Sequence, residues 1–141
     1  MKVLVDTNII IDALTSREPF RDVAEQIFIL AANQIEDVYI TASSATDIYY
    51  LVRKHLHHTE SAKKVMSKLY ELFSILDVTA NDCLEALGTD MKDYEDAVIS
   101  CCAYRNQMDY IVTRNRKDYE HSKVSIILPD ELIQLVSQDD I

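Results

Sequence analysis

Hydrophobic and polar positions along this chain follow two alternating periods. Short apolar blocks rich in β-branched residues occur at 2–5 (KVLV), 38–41 (VYIT), 75–78, 110–113 (YIVT) and 125–128, and their length predicts buried strands. Between them, apolar residues recur every three or four positions. Val23, Ile27 and Leu30, with Phe20 and Ala24 beside them, predict a helix over 20–33. Ile48, Leu51, Val52 and Leu56 predict a second helix, capped by Ser43 or Ser44. Ala62, Val65, Met66, Leu69 and Phe73 form the stripe of a third, opening at Thr59. Shorter helices are expected over 8–14, capped near Asp6 or Thr7, and over 81–87, capped by Asn81 or Thr79 with Gly88 just past the end. A longer helix is expected over 93–106, and Pro129 stands at the favoured first position of a terminal one.

Strands that alternate with helices in this way imply an α/β fold whose mainly parallel sheet is covered on both faces. Ligands of such sheets bind outside the carboxyl ends of the strands. Asp6 stands directly after the first strand, in VDTNIIIDAL, which raises its chance of being functional. Asp12, roughly a turn beyond Asn8 on the same helix face, is placed to support the site, but a helix-surface acid is the preferred reading.

At 141 residues, one domain spanning 1–141 is expected, large enough for a core without disulfides or a structural metal. The three cysteines, Cys83, Cys101 and Cys102, lack zinc or disulfide spacing, and the last two are read as small core residues. No apolar run approaches the roughly 20 residues that span a bilayer. The start of the chain lacks the basic and apolar regions of a signal peptide, so a cytoplasmic protein without a membrane segment is expected. The formal charge of −10 argues against binding nucleic acid through an overall positive field. It leaves room for a nucleic-acid enzyme whose clustered acids hold a divalent cation.

Four segments place polar groups where strand ends meet helix starts: Asp6 with Asn8, Asp47 in TASSATDIYY, Asp93 and Asp96 in KDYEDAVIS, and the run TRNRKDY at 113–119. Asp93 and Asp96 are three apart and share a helix face. Each acid alone has an ordinary explanation in capping or the helix dipole, most of all Asp47 in a first turn. Together they point to a cation, because carboxylates sharing a cleft repel one another. Oxygen-only ligands with room for water suit Mg²⁺ or Mn²⁺ rather than zinc.

The order of VDTNIIIDAL, ASSATDIYYL, DYEDAVISCCAYRNQMDYIVTRN and RKDY resembles a PIN domain. Within that family it resembles the ribonuclease toxins of bacterial type II toxin–antitoxin systems, the virulence-associated-protein C kind. The likeness runs from residue 2 to about residue 128, and its most specific part pairs D-x-N after the first strand with D-A-x-x-x-x-x-A-x-x-x-x-x-D-Y-I-V-T. The resemblance implies a three-layer α/β/α PIN-like fold and metal-dependent hydrolysis of RNA phosphodiester bonds. A cognate antitoxin protein is the implied partner. By position, Asp6 matches the first metal ligand, Asn8 its small polar support, and Asp96 the second direct ligand. Asp47 falls where the family more often has Glu; being one methylene shorter, it either reaches the metal through water or leaves this position weak. Where the family commonly reads T-x-D, this chain has Thr113-Arg114-Asn115. Asn115 brings no charge, and Asp118 or Asp93 is then the compensating acid.

Arg114, Arg116 and Lys117 adjoin this region and are the expected grip on RNA phosphates. A second basic group, Arg53, Lys54, Lys63, Lys64 and Lys68, reads at least as well as solvated helix faces. His55, His57 and His58 are read as helix-end cations rather than ligands, since zinc spacing is lacking. The eight tyrosines fit core packing, a homodimer or an antitoxin surface better than base stacking. An aspartyl-phosphate phosphatase would need a second Asp at position 8, and a receiver domain an acid pair at the first strand; the chain supplies neither. The competing reading is a degenerate PIN domain that binds RNA or a protein without cutting, favoured by Asn115 and opposed by Asp6, Asp47 and Asp96 together.

Overall fold

The computed structural model describes residues 1–139, so the last two residues of the expected 1–141 domain lie outside the described residues. Strands β1 (Lys2–Val5), β2 (Asp37–Thr41), β3 (Ser74–Leu76), β4 (Tyr110–Val112) and β5 (Ile126–Ile127) form one parallel sheet in the order β3-β2-β1-β4-β5. Helices α1 (Thr7–Leu14), α2 (Arg21–Ala32), α3 (Ala42–Leu56), α4 (Thr59–Leu72), α5 (Ala80–Leu87), α6 (Tyr94–Arg105) and α7 (Pro129–Asp139) connect and follow the strands.

Alternation along the strands divides the core into two layers. Val3 and Val5 face a cluster built with α1, α2, α3, α4 and α7, including Ile10, Ile27, Ile48, Leu69 and Leu132. Leu4 faces the opposite side, where Ile99 and Ala103 of α6 pack with Ile111 and Tyr119. Ala86 of α5 reaches this layer through Ala97 and Val98 of α6. The result is a three-layer α/β/α arrangement with a mainly apolar parallel sheet between helices, as the alternating periods imply. Among the described residues, no helix is long and apolar enough to cross a membrane.

The strand order positions the site. From β1 the chain moves outward through β2 and β3, then crosses to the other side of β1 for β4 and β5. The carboxyl ends of β1 and β4 therefore flank the point where winding reverses, the crevice in which open parallel sheets bind ligands. Asp6 follows β1 and Thr113 follows β4, and their segments are stitched together by the Asp6 N–H donating to the Val112 carbonyl at 2.9 Å.

Local details correct some expectations and meet others. The cap of α3 is Thr41, whose hydroxyl accepts the Ser44 N–H at 3.2 Å, rather than Ser43 or Ser44. Ser44 instead accepts the Thr7 hydroxyl at 2.8 Å, lacing the β1–α1 junction to the β2–α3 junction. Thr79 caps α5 in a reciprocal box with Asp82, and Gly88 closes that helix at an ordinary φ of −89°. His58 caps α4, its Nδ1 accepting the Ser61 N–H at 3.2 Å. Segment 116–119 forms a 3-10 turn, and the last three strands are shorter than their apolar runs. Phe20 lies outside the core, at the start of α2, with the Arg114 guanidinium 4.0 Å above its ring.

Candidate functional site

Asp6 occupies the cap position of α1, yet its side chain caps nothing. Its carboxylate turns into the crevice instead, where Oδ2 accepts the Thr113 hydroxyl at 2.9 Å and Oδ1 lies 3.4 Å from the Tyr119 hydroxyl. Only 6% of Asp6 is exposed. Burial pushes its carboxyl above the ordinary value, against hydrogen bonds from Thr113, the Thr7 backbone and Tyr119 that favour the charged form. A helix-cap role would bond this carboxylate to the first-turn N–H groups that a cap satisfies; a buried acid that makes no such bond needs another reason.

The second acid comes from α6. Asp93 caps that helix, its Oδ1 accepting the Asp96 N–H at 2.9 Å, and so fixes the first turn from which Asp96 projects. Asp96 Oδ1 lies 3.3 Å from the same Tyr119 hydroxyl that meets Asp6. The Asp96 carboxyl is pushed up to about 7, by burial first and then by the charges of Asp6, Asp93 and Asp118. Asp47, on the exposed side of α3, meets Glu95 across the pocket. Their hydrogen bond, followed by burial and the Asp47 charge, lifts the Glu95 carboxyl to about 7.

These groups line one open pocket of about 530 Å³, which Asn8, Asp93 and Asp118 also border. Among the described residues, no lysine, arginine or histidine lines it. Carboxylates crowded without a basic partner favour a divalent cation, and the donor set is oxygen only. Among the described residues, no group of three acids is already gathered as a metal-binding set. Mg²⁺ does not demand one, since it is commonly held by one or two carboxylates with several retained waters. The residues present fit that mode, with Asp6 and Asp96 as the pair tied to a common atom.

The remaining sequence candidates divide. Asp118 borders the pocket, held by the Asn115 side-chain amide at 2.7 Å; Asn115 itself lies outside the lining. Thr113 is fully buried and braces both Asp6 and the Asn115 N–H. Arg114 points elsewhere: its Nε donates to Asp12 Oδ2 at 2.8 Å. Asp12, expected on the helix surface, is 1% exposed and fully engaged by that arginine, because α1 is covered on this side by the segment leaving β4. Arg116 pairs with Glu131 of α7, and Lys117 is exposed on the 3-10 turn; neither borders the pocket.

Two site residues escaped the sequence reading. Glu95 sits between the same-face pair Asp93 and Asp96 and was passed over by that spacing, although three acids within four positions at a helix start were visible. Tyr119 carries no local signal beyond an aromatic after RKD.

Ionisation of this cluster fixes a pH response. Folded, Asp96 and Glu95 keep protons up to about pH 7, whereas unfolded carboxyls lose them near their ordinary values. Between these limits the folded state binds more protons, so metal-free stability falls as pH rises. Thermal unfolding in chelator is expected to show a lower Tm at about pH 8 than at about pH 5, with Asp96→Asn flattening the slope and Mn²⁺ restoring the Tm at the higher pH. A Tm independent of pH and of Mn²⁺ would contradict the crowding described here.

A model of the PIN domain family matches residues 2–117. Among solved structures, the chain is similar to the DNA-bound VapBC from Salmonella typhimurium, with a TM-score of 0.68 at 19% identity over 92% of this chain and 98% of that one. It is also similar to FitAcB from Neisseria gonorrhoeae (TM-score 0.64, 20% identity, 90% and 97% covered). A toxin–antitoxin complex from Klebsiella pneumoniae gives a TM-score of 0.63 at 24% identity, with 90% and 97% covered. Among curated proteins, no sequence matches significantly.

Proposed function

The chain belongs to the PIN domain family, and from that premise we propose that it is a Mg²⁺- or Mn²⁺-dependent ribonuclease, the toxin of a toxin–antitoxin pair acting in the cytoplasm and restrained by a cognate antitoxin. The observation that carries this reading is the convergence of Asp6, Asp96, Asp47, Glu95 and Asp118 on one pocket without a basic lining residue, at the switch point of the sheet. Similarity to the VapBC and toxin–antitoxin complexes supports the partner.

Asp6 and Asp96 are the residues that would hold the cation, and Asp47 and Asp118 line the same pocket. When bound there, a divalent cation supplies Lewis acidity to the phosphoryl oxygen and lowers the pKa of water. The chain's own groups do the rest. Thr113 orients Asp6 through its 2.9 Å hydrogen bond, and the Asp93 cap orients the turn that bears Asp96. Glu95, titrating at about 7 beside Asp47, is suited to take up or release a proton at its carboxylate near neutral pH. Asn8, exposed at the pocket edge, offers an amide to a phosphate oxygen. Arg116 and Lys117 on the neighbouring turn are the cations an RNA backbone would meet first, while Arg114 holds α1 in place.

The test offers purified protein a panel of single-stranded and structured RNAs, and DNAs of the same sequences, with Mn²⁺. Cleavage confined to RNA is expected, together with growth arrest on expression that a neighbouring small antitoxin gene relieves. Protein that binds Mn²⁺ and RNA yet cuts no member of the panel would instead establish the non-catalytic binding module.

A further inference from the structure

We infer that Tyr119 is a positioning residue for the divalent cation: its hydroxyl, shared between Asp6 and Asp96, sets how the two carboxylates face each other across the crevice. The inference rests on the metal-dependent reading above. The hydroxyl lies 3.4 Å from Asp6 Oδ1 and 3.3 Å from Asp96 Oδ1, and among the described residues no other touches both acids by hydrogen bond. Those acids come from distant segments of the chain, one after β1 and the other from the first turn of α6. One hydroxyl therefore spans the crevice between the sheet and the α6 layer.

Tyr119 is built for this. It is 2% exposed and among the largest fully buried side chains, packed among Leu4, Ile99, Ile111 and Val124. A ring seated in that cluster has little freedom to move its hydroxyl. Its backbone is fixed in turn by the 3-10 turn, which the Asn115–Asp118 hydrogen bond and the Asp118 N–H to Asn115 carbonyl bond, at 3.2 Å, both close. A phenylalanine would fill the same apolar seat. The hydroxyl is thus the part of the side chain that packing does not require, and it is aimed at the two acids. Each carboxylate oxygen keeps a second lone pair for a cation. Groups that orient metal ligands in this way change metal affinity without touching the metal.

The experiment measures Mn²⁺ binding by calorimetry at fixed pH for wild type, Tyr119→Phe and the packing control Val124→Ala. Tyr119→Phe is expected to weaken Mn²⁺ binding about 10- to 100-fold while Tm in chelator stays within a few degrees. In RNA cleavage, its KM for RNA is expected to hold, and its rate to recover at high Mn²⁺. Val124→Ala is expected to lower Tm and leave the Mn²⁺ Kd unchanged. Unchanged or tighter Mn²⁺ binding by Tyr119→Phe overturns the inference, as does an equal loss in Val124→Ala. Wild-type protein that binds no Mn²⁺ overturns the metal-dependent reading itself, and the inference with it.

Discussion

Asp6→Asn is expected to lower RNA cleavage on the order of a thousandfold while leaving the metal-free protein at least as stable as the wild type. The two effects share a cause. Asp6 is 6% exposed and its carboxyl is pushed up by burial, so its negative charge is a liability to the fold until a cation offsets it. Asparagine has nearly the same shape and can still accept the Thr113 hydroxyl that now donates at 2.9 Å. It cannot supply the charge. A thousandfold loss corresponds to about 4 kcal/mol of barrier, a reasonable scale for removing one of two charged ligands. Single-turnover cleavage at saturating Mn²⁺, set beside thermal unfolding in chelator, checks both halves. A variant within tenfold of wild type would remove Asp6 from the ligand set, and a large drop in Tm would make it a structural acid instead.

Asp12→Ala is expected to do the opposite, costing about 3 kcal/mol of stability with little effect on Mn²⁺ binding. Asp12 is 1% exposed and its partner Arg114 is 29% exposed at the side chain, with Nε at 2.8 Å. That pair ties α1 to the segment leaving β4, and the guanidinium also lies 4.0 Å over the Phe20 ring at the start of α2. Removing the carboxylate leaves a half-buried arginine without its counter-charge, which is far worse than never having built the pair. Urea unfolding reads the loss; Arg114→Met, which keeps apolar bulk over Phe20 but leaves the buried Asp12 only the longer 4.0 Å pairing with Arg17, is also expected to be destabilising. A change under about 1 kcal/mol in Asp12→Ala would show that the pair behaves as an exposed ion pair.

The contrast between Asp6 and Asp12 shows what was legible in the sequence. Strand and helix identities followed from their periods, because a buried parallel strand and an amphipathic helix leave different apolar spacings. Asp6 stood out because it ends an apolar block, and strand ends are where such sheets bind ligands. Asp12 did not, since a carboxylate inside a helix looks solvent-facing until its partner is known. That partner lies 102 residues away. Tyr119 is likewise invisible locally, its contact with Asp6 spanning 113 residues. The cap of α3 was misplaced for a smaller reason. In TASSAT several hydroxyls compete, and the winner depends on where β2 ends, which pairing with its neighbours decides.

The central claim, that these carboxylates cut RNA by way of a divalent cation, is tested most directly by titrating Mn²⁺ into chelator-stripped protein and following cleavage of single-stranded RNA. The account predicts background cleavage in chelator, and recovery that saturates at the Mn²⁺ Kd found by calorimetry. Cleavage in excess chelator as fast as at saturating Mn²⁺ would contradict it.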